Sequence, residues 1–297
     1  MLRLKSGAHC PEVTGLPMSV ITSRDNKWLK LFRAALRGSG PADAEPIGIE
    51  GPKFVEDALR SGLEPEALLV SESGEREVER ILRAASENEA VVPASRILRT
   101  TNKLFQGVAG TDAPQGVAAL FRQPTWGLDD VLRGPAAMRE HAPLVVVMAA
   151  VQDPGNVGTI LRSAEAFGAT GAVAARGTAD PWSPKALRAS AGSALRLPLL
   201  RGMAIPVLLA QLRIARVRIY AASSGPGGAS SAGEIVAQTD LRDSVAIFIG
   251  SEGAGLPIEV ARAADAVISI PTGGAVESLN AGVAASIVLY EAARQRK

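Results

Sequence analysis

Beyond residue 143, short apolar runs alternate with helix-like stretches, and this alternation narrows the possible folds more than any other feature of the chain. Residues 144–150 read Leu-Val-Val-Val-Met-Ala-Ala, the composition of a strand covered on both faces rather than one. Residues 171–174, 217–221, 245–249 and 266–270 are further stretches of strand length. Between them, 157–167, 184–191, 205–215 and 257–264 carry helical spacing. In the first of these Val157, Ile160, Leu161, Ala164 and Phe167 share a face, and Gly168 ends it. Strands that alternate with helices predict an α/β domain on a parallel sheet. A last helix, expected near 279–294, has few charges before Glu291 and is therefore buried in its own core or against a second subunit.

The N-terminal part reads as a smaller α/β unit. A helix is expected over 25–37, with Leu29, Phe32 and Leu36 on one side and Lys27, Lys30, Arg33 and Arg37 on another. Any surface helix shows a charged stripe, but no acidic residue stands between Asn26 and Arg37, which makes Lys27, Lys30 and Arg33 candidate nucleic-acid contacts. Strands near 47–49, 67–70 and 91–92 and helices near 53–60 and 75–88 follow. Residues 122–142, with prolines, glycines and mixed charge, read as a linker. The expected organisation is a tail over 1–18, a first domain over 19–121, the linker, and a second domain over 143–297.

Composition removes several chemistries. The chain has 297 residues, 47% of them apolar, enough for two domains, and its net charge of +2 is not that of a protein that coats nucleic acid indiscriminately. Its single cysteine, Cys10, lies in the tail, and its two histidines, His9 and His141, in the tail and linker. An intramolecular disulfide, a cysteine zinc site, a histidine triad and thiolate catalysis in a core therefore lack material, and no metal is expected. No run of about 18 apolar residues is present, and the first residues lack an apolar signal core, so a cytoplasmic, membrane-free protein is expected. Met18, followed by Ser-Val-Ile-Thr-Ser-Arg, resembles a natural start, which would make 1–17 an extension.

Three loops at strand ends carry the functional signal: DPGNVGTILRSAEAFGATG over 153–171, IGSEGAGLP over 249–257, and ISIPTGGAVESLNAGVAASIVLYE over 268–291. In an open parallel sheet such loops converge on one crevice, with helix N-termini pointing into it. No G-x-G-x-x-G follows a strand, and Gly250 to Gly255 has the wrong spacing, which argues against a nicotinamide-dependent oxidoreductase.

In order and spacing the three segments resemble the motifs of the SpoU/TrmH family of RNA ribose 2'-O-methyltransferases. Gln106 to Ala109 and Pro114 to Ala119 resemble the end of that family's ribosomal-L30e-like substrate domain. The resemblance implies a parallel-sheet α/β domain with a deep trefoil knot, a homodimer, S-adenosylmethionine as cofactor and RNA as substrate. It matches Gly250, Ile270 and Leu279 to the cofactor site, and Asn156, Arg162, Glu252, Ser278 and Asn280 to the polar catalytic positions. Lys185 and Arg188 match a segment near the RNA entrance. Arginine keeps its proton in nearly all protein settings, so Arg162 is expected to orient and stabilise rather than act as a base. Ser278 and Asn280 are also candidates to cap the last helix. The expected substrate is large-subunit (23S) ribosomal RNA; transfer RNA, or RNA binding without catalysis, are the alternatives.

Overall fold

The computed structural model describes residues 19–38, 46–87, 92–136, 141–223, 234–251, 253–273 and 278–297. The tail with His9 and Cys10, as well as Val91, Glu252 and Gly274, lies outside them. The chain divides into two compact units between Pro124 and Thr125.

The first unit runs β1 (Ser19–Ile21), α1 (Lys27–Arg37), β2 (Ile47–Glu50), α2 (Pro52–Arg60), β3 (Pro65–Ser71), α3 (Val78–Glu87), β4 (Ile97–Thr100), α4 (Asn102–Gln106) and β5 (Val117–Phe121). Its sheet has the order β1-β4-β3-β5-β2, with β5 antiparallel to both neighbours. Helix α1 starts where the Asn26 side chain accepts from the Trp28 N–H and stops at Gly38, which takes a left-handed φ of 65°. It buries Leu29, Phe32, Ala35 and Leu36 against Ile21, Leu69, Leu98 and Phe105. Gly48 is required there, because a Cβ on it would sit 2.7 Å from the Ala35 carbonyl carbon. Of the strand expected at 91–92, Val91 lies outside the described residues and Val92 is in no strand; a strand that was not expected runs over Ile97–Thr100. A charged residue within Ile-Leu-Arg-Thr disguised it, although Ile97 and Leu98 are both buried.

The second unit runs α5 (Leu128–Arg133), β6 (Leu144–Met148), α6 (Pro154–Ala166), β7 (Gly171–Ala174), α7 (Pro184–Ala189), β8 (Leu199–Arg201), α8 (Ile205–Ile214), β9 (Arg218–Ser223), β10 (Glu234–Ile235), β11 (Val245–Ile249), α9 (Ile258–Ala263), β12 (Ala266–Ser269) and α10 (Ala281–Gln295). The sheet is parallel throughout, in the order β10-β12-β9-β11-β6-β7-β8. Every residue of β6 and β11 is buried, as layers on both faces demand. One face of the sheet presents Val145, Val147, Val173, Ile219, Ala246 and Phe248 to Val131 of α5, Leu208 and Leu212 of α8 and Val260 of α9. Residues 122–142, expected as a linker, thus hold a helix that shares this core.

The last helix, α10, returns to lie along α6. Thr159 is 3.0 Å from the position a Cβ would occupy on Gly282, the Ser163 and Ser286 hydroxyls are 2.7 Å apart, and the Phe167 and Tyr290 rings meet edge to face at 5.7 Å. Residues four apart on one helix therefore meet residues four apart on the other, so the two run side by side in the same direction. Helix α7 packs still closer: a Cβ on Gly158 would lie 2.4 Å from the Ala186 carbonyl oxygen and 2.5 Å from the Ala189 Cβ. Among the described residues no helix is long and apolar enough to cross a membrane, and no group of His, Cys, Asp or Glu could hold a metal ion.

Candidate active site

The parallel strands end on one edge, and the three motif loops leave from it. The loops after β6 and β11 start side by side, tied by the Ala149 N–H donating to the Ile249 carbonyl at 2.8 Å. After β11 the chain closes a tight turn in which Ser251 and Gly255 exchange backbone hydrogen bonds of 3.2 and 3.0 Å. A Cβ on Gly250 would fall 2.4 Å from the Gly255 carbonyl carbon, and Gly255 takes a φ of 68°, so glycine at both positions permits the turn itself. Among the described residues, no atom lies within 4 Å of the position a Cβ would take on Gly253 or Gly273, which leaves room beside their main chain. Ile270 and Leu279 are half-buried beside those openings in sequence. This open backbone with two half-buried aliphatic side chains suits a nucleoside-type group held by main-chain atoms more than by charged side chains.

The α6 end of the site begins with a cap. The Asp153 carboxylate accepts from the Asn156 N–H at 3.0 Å and pairs with the Lys185 ammonium at 2.7 Å. The lysine hydrogen bond first, and the backbone one second, hold the Asp153 carboxyl below its ordinary pKa. Asp153 was not singled out from the sequence, although an acceptor side chain just before a proline at the first helical position is a capping signature.

Asn280 joins the two helix N-termini. Its carbonyl oxygen accepts from the N–H groups of Gly282 and Val283, at 2.9 and 3.3 Å, and so caps α10. Its amide nitrogen donates to the Asn156 side-chain oxygen at 2.9 Å. Of the two expected capping candidates, Asn280 caps; Ser278 is exposed and forms no cap bond.

Arg162 is exposed on α6, on the same side as Thr159, and forms no hydrogen bond or ion pair among the described residues. Several other arginines of this unit are paired: Arg196 with Glu165, Arg213 with Asp265, Arg242 with Asp240 and Arg294 with Glu291. Asn156, Asn280, Asp153 and Lys185 thus form one bonded group, with Arg162 free one to two helical turns away. Glu252 lies outside the described residues. Arg188, exposed in the last turn of α7, also has no carboxylate partner among the described residues.

The N-terminal stripe divides. Lys30 reaches Asp25 at 3.7 Å, just before the acid-free stretch, in a pair whose side chains are 60% and 92% exposed. Arg33 donates to the Gly107 carbonyl at 3.2 Å, which ties the loop after α4 to α1. Lys27 lies over the Trp28 ring.

Comparison with known proteins gives two family matches. Residues 143–290 match the SpoU rRNA Methylase family, and residues 44–119 match the MRM3-like substrate binding domain. RlmP of Bacillus subtilis, a 23S rRNA guanosine 2'-O-methyltransferase, is 32% identical over 274 residues, which are 92% of this chain and 98% of that one. An uncharacterized tRNA/rRNA methyltransferase of Synechocystis is 38% identical over 189 residues, 64% of each chain. The crystal structure of an AdoMet-bound rRNA methyltransferase from Sinorhizobium meliloti superposes with a TM-score of 0.77 at 30% identity, covering 93% of this chain and 98% of that one.

Proposed function

This chain belongs to the SpoU methylase family, an S-adenosylmethionine-dependent ribosomal RNA 2'-O-methyltransferase with a substrate-binding domain ahead of its catalytic one, and we propose that it modifies large-subunit rRNA through Asn156, Arg162 and Asn280. The observation that carries the assignment of residues is the Asn280–Asn156 hydrogen bond, which fixes two helix N-termini at the strand edge, with an exposed and unpaired arginine on one of those helices. Glu252 and Ser278 complete the polar set on the resemblance of the motifs.

S-adenosylmethionine supplies an electrophilic methyl on a sulfonium; Gly250, Ile270 and Leu279, with the open backbone at Gly253 and Gly273, would hold it. In the transfer the ribose 2'-oxygen forms a bond to the methyl carbon as the sulfur–carbon bond breaks, and the hydroxyl proton leaves to water or a phosphate oxygen. Arg162, having no internal carboxylate, is available to grip the target phosphate with two parallel N–H donors. That grip fixes the 2'-oxygen in line with the methyl and stabilises charge developing on it. The Asn156–Asn280 pair keeps the ends of α6 and α10 from moving apart as the nucleotide enters. Arg188 and Lys27, which have no carboxylate partner among the described residues, can meet phosphates outside the reacting nucleotide, whereas Lys30 and Arg33 are already engaged and act secondarily.

A homodimer is part of this reading. Val283, Ile287 and Tyr290 form an exposed apolar stripe on α10, which in a monomer would face water. The return of α10 from β12 past β9 and β11 to α6 is the course that a knotted C-terminal segment takes, and the reading includes that knot. A cytoplasmic location follows from the ribosomal substrate.

The test is transfer of labelled methyl from S-adenosylmethionine to ribosomal and transfer RNA pools by wild type and Arg162→Ala, with the product mapped. The expected result is a 2'-O-methyl nucleotide in 23S rRNA, with transfer lowered at least 100-fold in the variant, since one lost charge-assisted contact in a transition state costs about 3 kcal/mol. Cofactor binding with no transfer to any RNA would overturn it.

A further inference from the structure

Most arginines of the first unit are matched by a carboxylate. Arg60 and Arg80 both reach Glu56, at 2.7 and 3.3 Å, Arg83 reaches Glu79 at 3.1 Å, Arg99 reaches Glu75 at 3.5 Å, and Arg122 reaches Glu64 at 2.7 Å. Arg33 and Arg37 donate to backbone carbonyls instead. One cluster departs from this pattern. The Arg96 guanidinium carbon lies 4.8 Å from the centroid of the Trp28 ring, and the Lys27 ammonium lies 6.0 Å from the same centroid. Arg96 and Lys27 are both exposed, and among the described residues neither has a carboxylate partner.

The backbone brings these residues together from two places. Trp28 occupies the first turn of α1, which follows edge strand β1; Arg96 closes the 3-10 turn Ala94–Arg96 that leads into β4, the strand paired with β1. Trp28 is half-buried, with part of its ring packed on the core that contains Leu29 and Phe32. One cation over an indole is stabilising by itself. Two over one ring, with no carboxylate bonded to either among the described residues, leave positive charge uncompensated there, and an anionic ligand would compensate it.

We propose that Lys27, Trp28 and Arg96 form a platform on which one unpaired RNA base stacks, while the two cations take the phosphates that flank it. The inference rests on the RNA-modifying reading above and adds to it a second, sequence-tolerant contact in the substrate domain. A flat aromatic and guanidinium surface with outlying positive charges is the chemistry that holds single-stranded nucleic acid. Inside a duplex the base face is already stacked and out of reach, so the platform selects a loop or an unpaired strand.

The test uses the full chain and a labelled single-stranded 12-nucleotide RNA, with a duplex of the same length as comparison, read by fluorescence anisotropy. Arg96→Gln and Trp28→Ala are each expected to weaken single-strand binding about tenfold, as for loss of one stacked base. Trp28→Phe should restore most of it, and duplex binding should not change. Because Trp28 also packs on the core, the surface variant Arg96→Gln decides, with its thermal midpoint measured alongside. Unchanged single-strand binding by Arg96→Gln and Trp28→Ala, together with an undiminished affinity of Lys27→Gln, would overturn the platform while methyl transfer by the same variants left the proposed function standing. A wild type that binds S-adenosylmethionine but neither binds nor methylates RNA would overturn both.

Discussion

At the residue scale the site depends on one side chain with two separable tasks. The Asn280 oxygen caps α10, and its nitrogen bridges to Asn156. Asn280→Asp keeps an acceptor at the helix N-terminus, where negative charge is favourable, but loses the donor. It is expected to unfold within about 0.5 kcal/mol of wild type while methyl transfer falls at least tenfold, measured by urea midpoint and initial rate. Asn280→Ala should lose the rate and also about 1 kcal/mol of stability. An Asn280→Asp variant with full activity would show that the bridge to Asn156 is dispensable. The resemblance of the motifs to the family singled out both asparagines, since a motif carries its polar positions in one dimension. The bond between residues 124 positions apart was not visible, nor was the division of the basic stripe among Asp25, the Gly107 carbonyl and the Trp28 ring.

At the element scale, close helix packing sets the site's geometry. The α6–α7 contact places Lys185 against the Asp153 cap, and it exists because Gly158 lets the Ala186 carbonyl come close. Gly158→Ala forces a Cβ to within 2.4 Å of backbone that has no flexible end to move. A loss of about 1–3 kcal/mol is expected from overpacking, read as a lower thermal midpoint; Gly253→Ala, with open space around it, should leave the midpoint unchanged. Equal midpoints for the two variants would contradict the packing. The outer stripe of α10 makes a separate prediction: Ile287→Asp should give a monomer in sedimentation, and a dimer that survives it must use another face. The helices after residue 143 and most strands of the second unit were legible, because parallel strands buried on both faces are apolar end to end and the helices between them stand out, whereas α5 lay in the expected linker. β8, with only Leu199 buried, and β10, with neither residue buried, gave no such run, and β1 is a three-residue edge strand.

At the scale of the whole molecule, the C-terminus is fastened to the far end of the sheet from the site. Gln295 donates to the Thr239 carbonyl and accepts from the Leu241 N–H, and Arg296 donates to the carbonyls of Ala142, Pro143, Leu241 and Asp243. Nothing in the composition marks Gln295 and Arg296, since their partners are backbone oxygens that any sequence carries. The side chain that holds Gln295 in place is Glu291, whose carboxylate accepts from Arg294 at 2.7 and 2.8 Å and from Gln295 at 2.8 Å. The arginine bonds first and the glutamine bond second hold its pKa down to about 2, against the effect of burial. A carboxyl with a lowered folded-state pKa stabilises the fold fully above the ordinary glutamate value, near 4.3, and loses that contribution as pH falls from there to about 2. Glu291→Gln removes the titrating group and keeps its shape. The gap in unfolding free energy between wild type and Glu291→Gln should therefore be constant above about pH 5 and close progressively toward pH 2. Urea midpoints measured at half-unit steps of pH would show it. Asp240, held at about 2 chiefly by its hydrogen bond from Arg242 in the same clasped segment, is present in both proteins and cancels from the difference. Profiles that run parallel down to pH 2 would mean that α10 is held by its apolar contacts alone, with Glu291 contributing nothing to the fastening of the chain end.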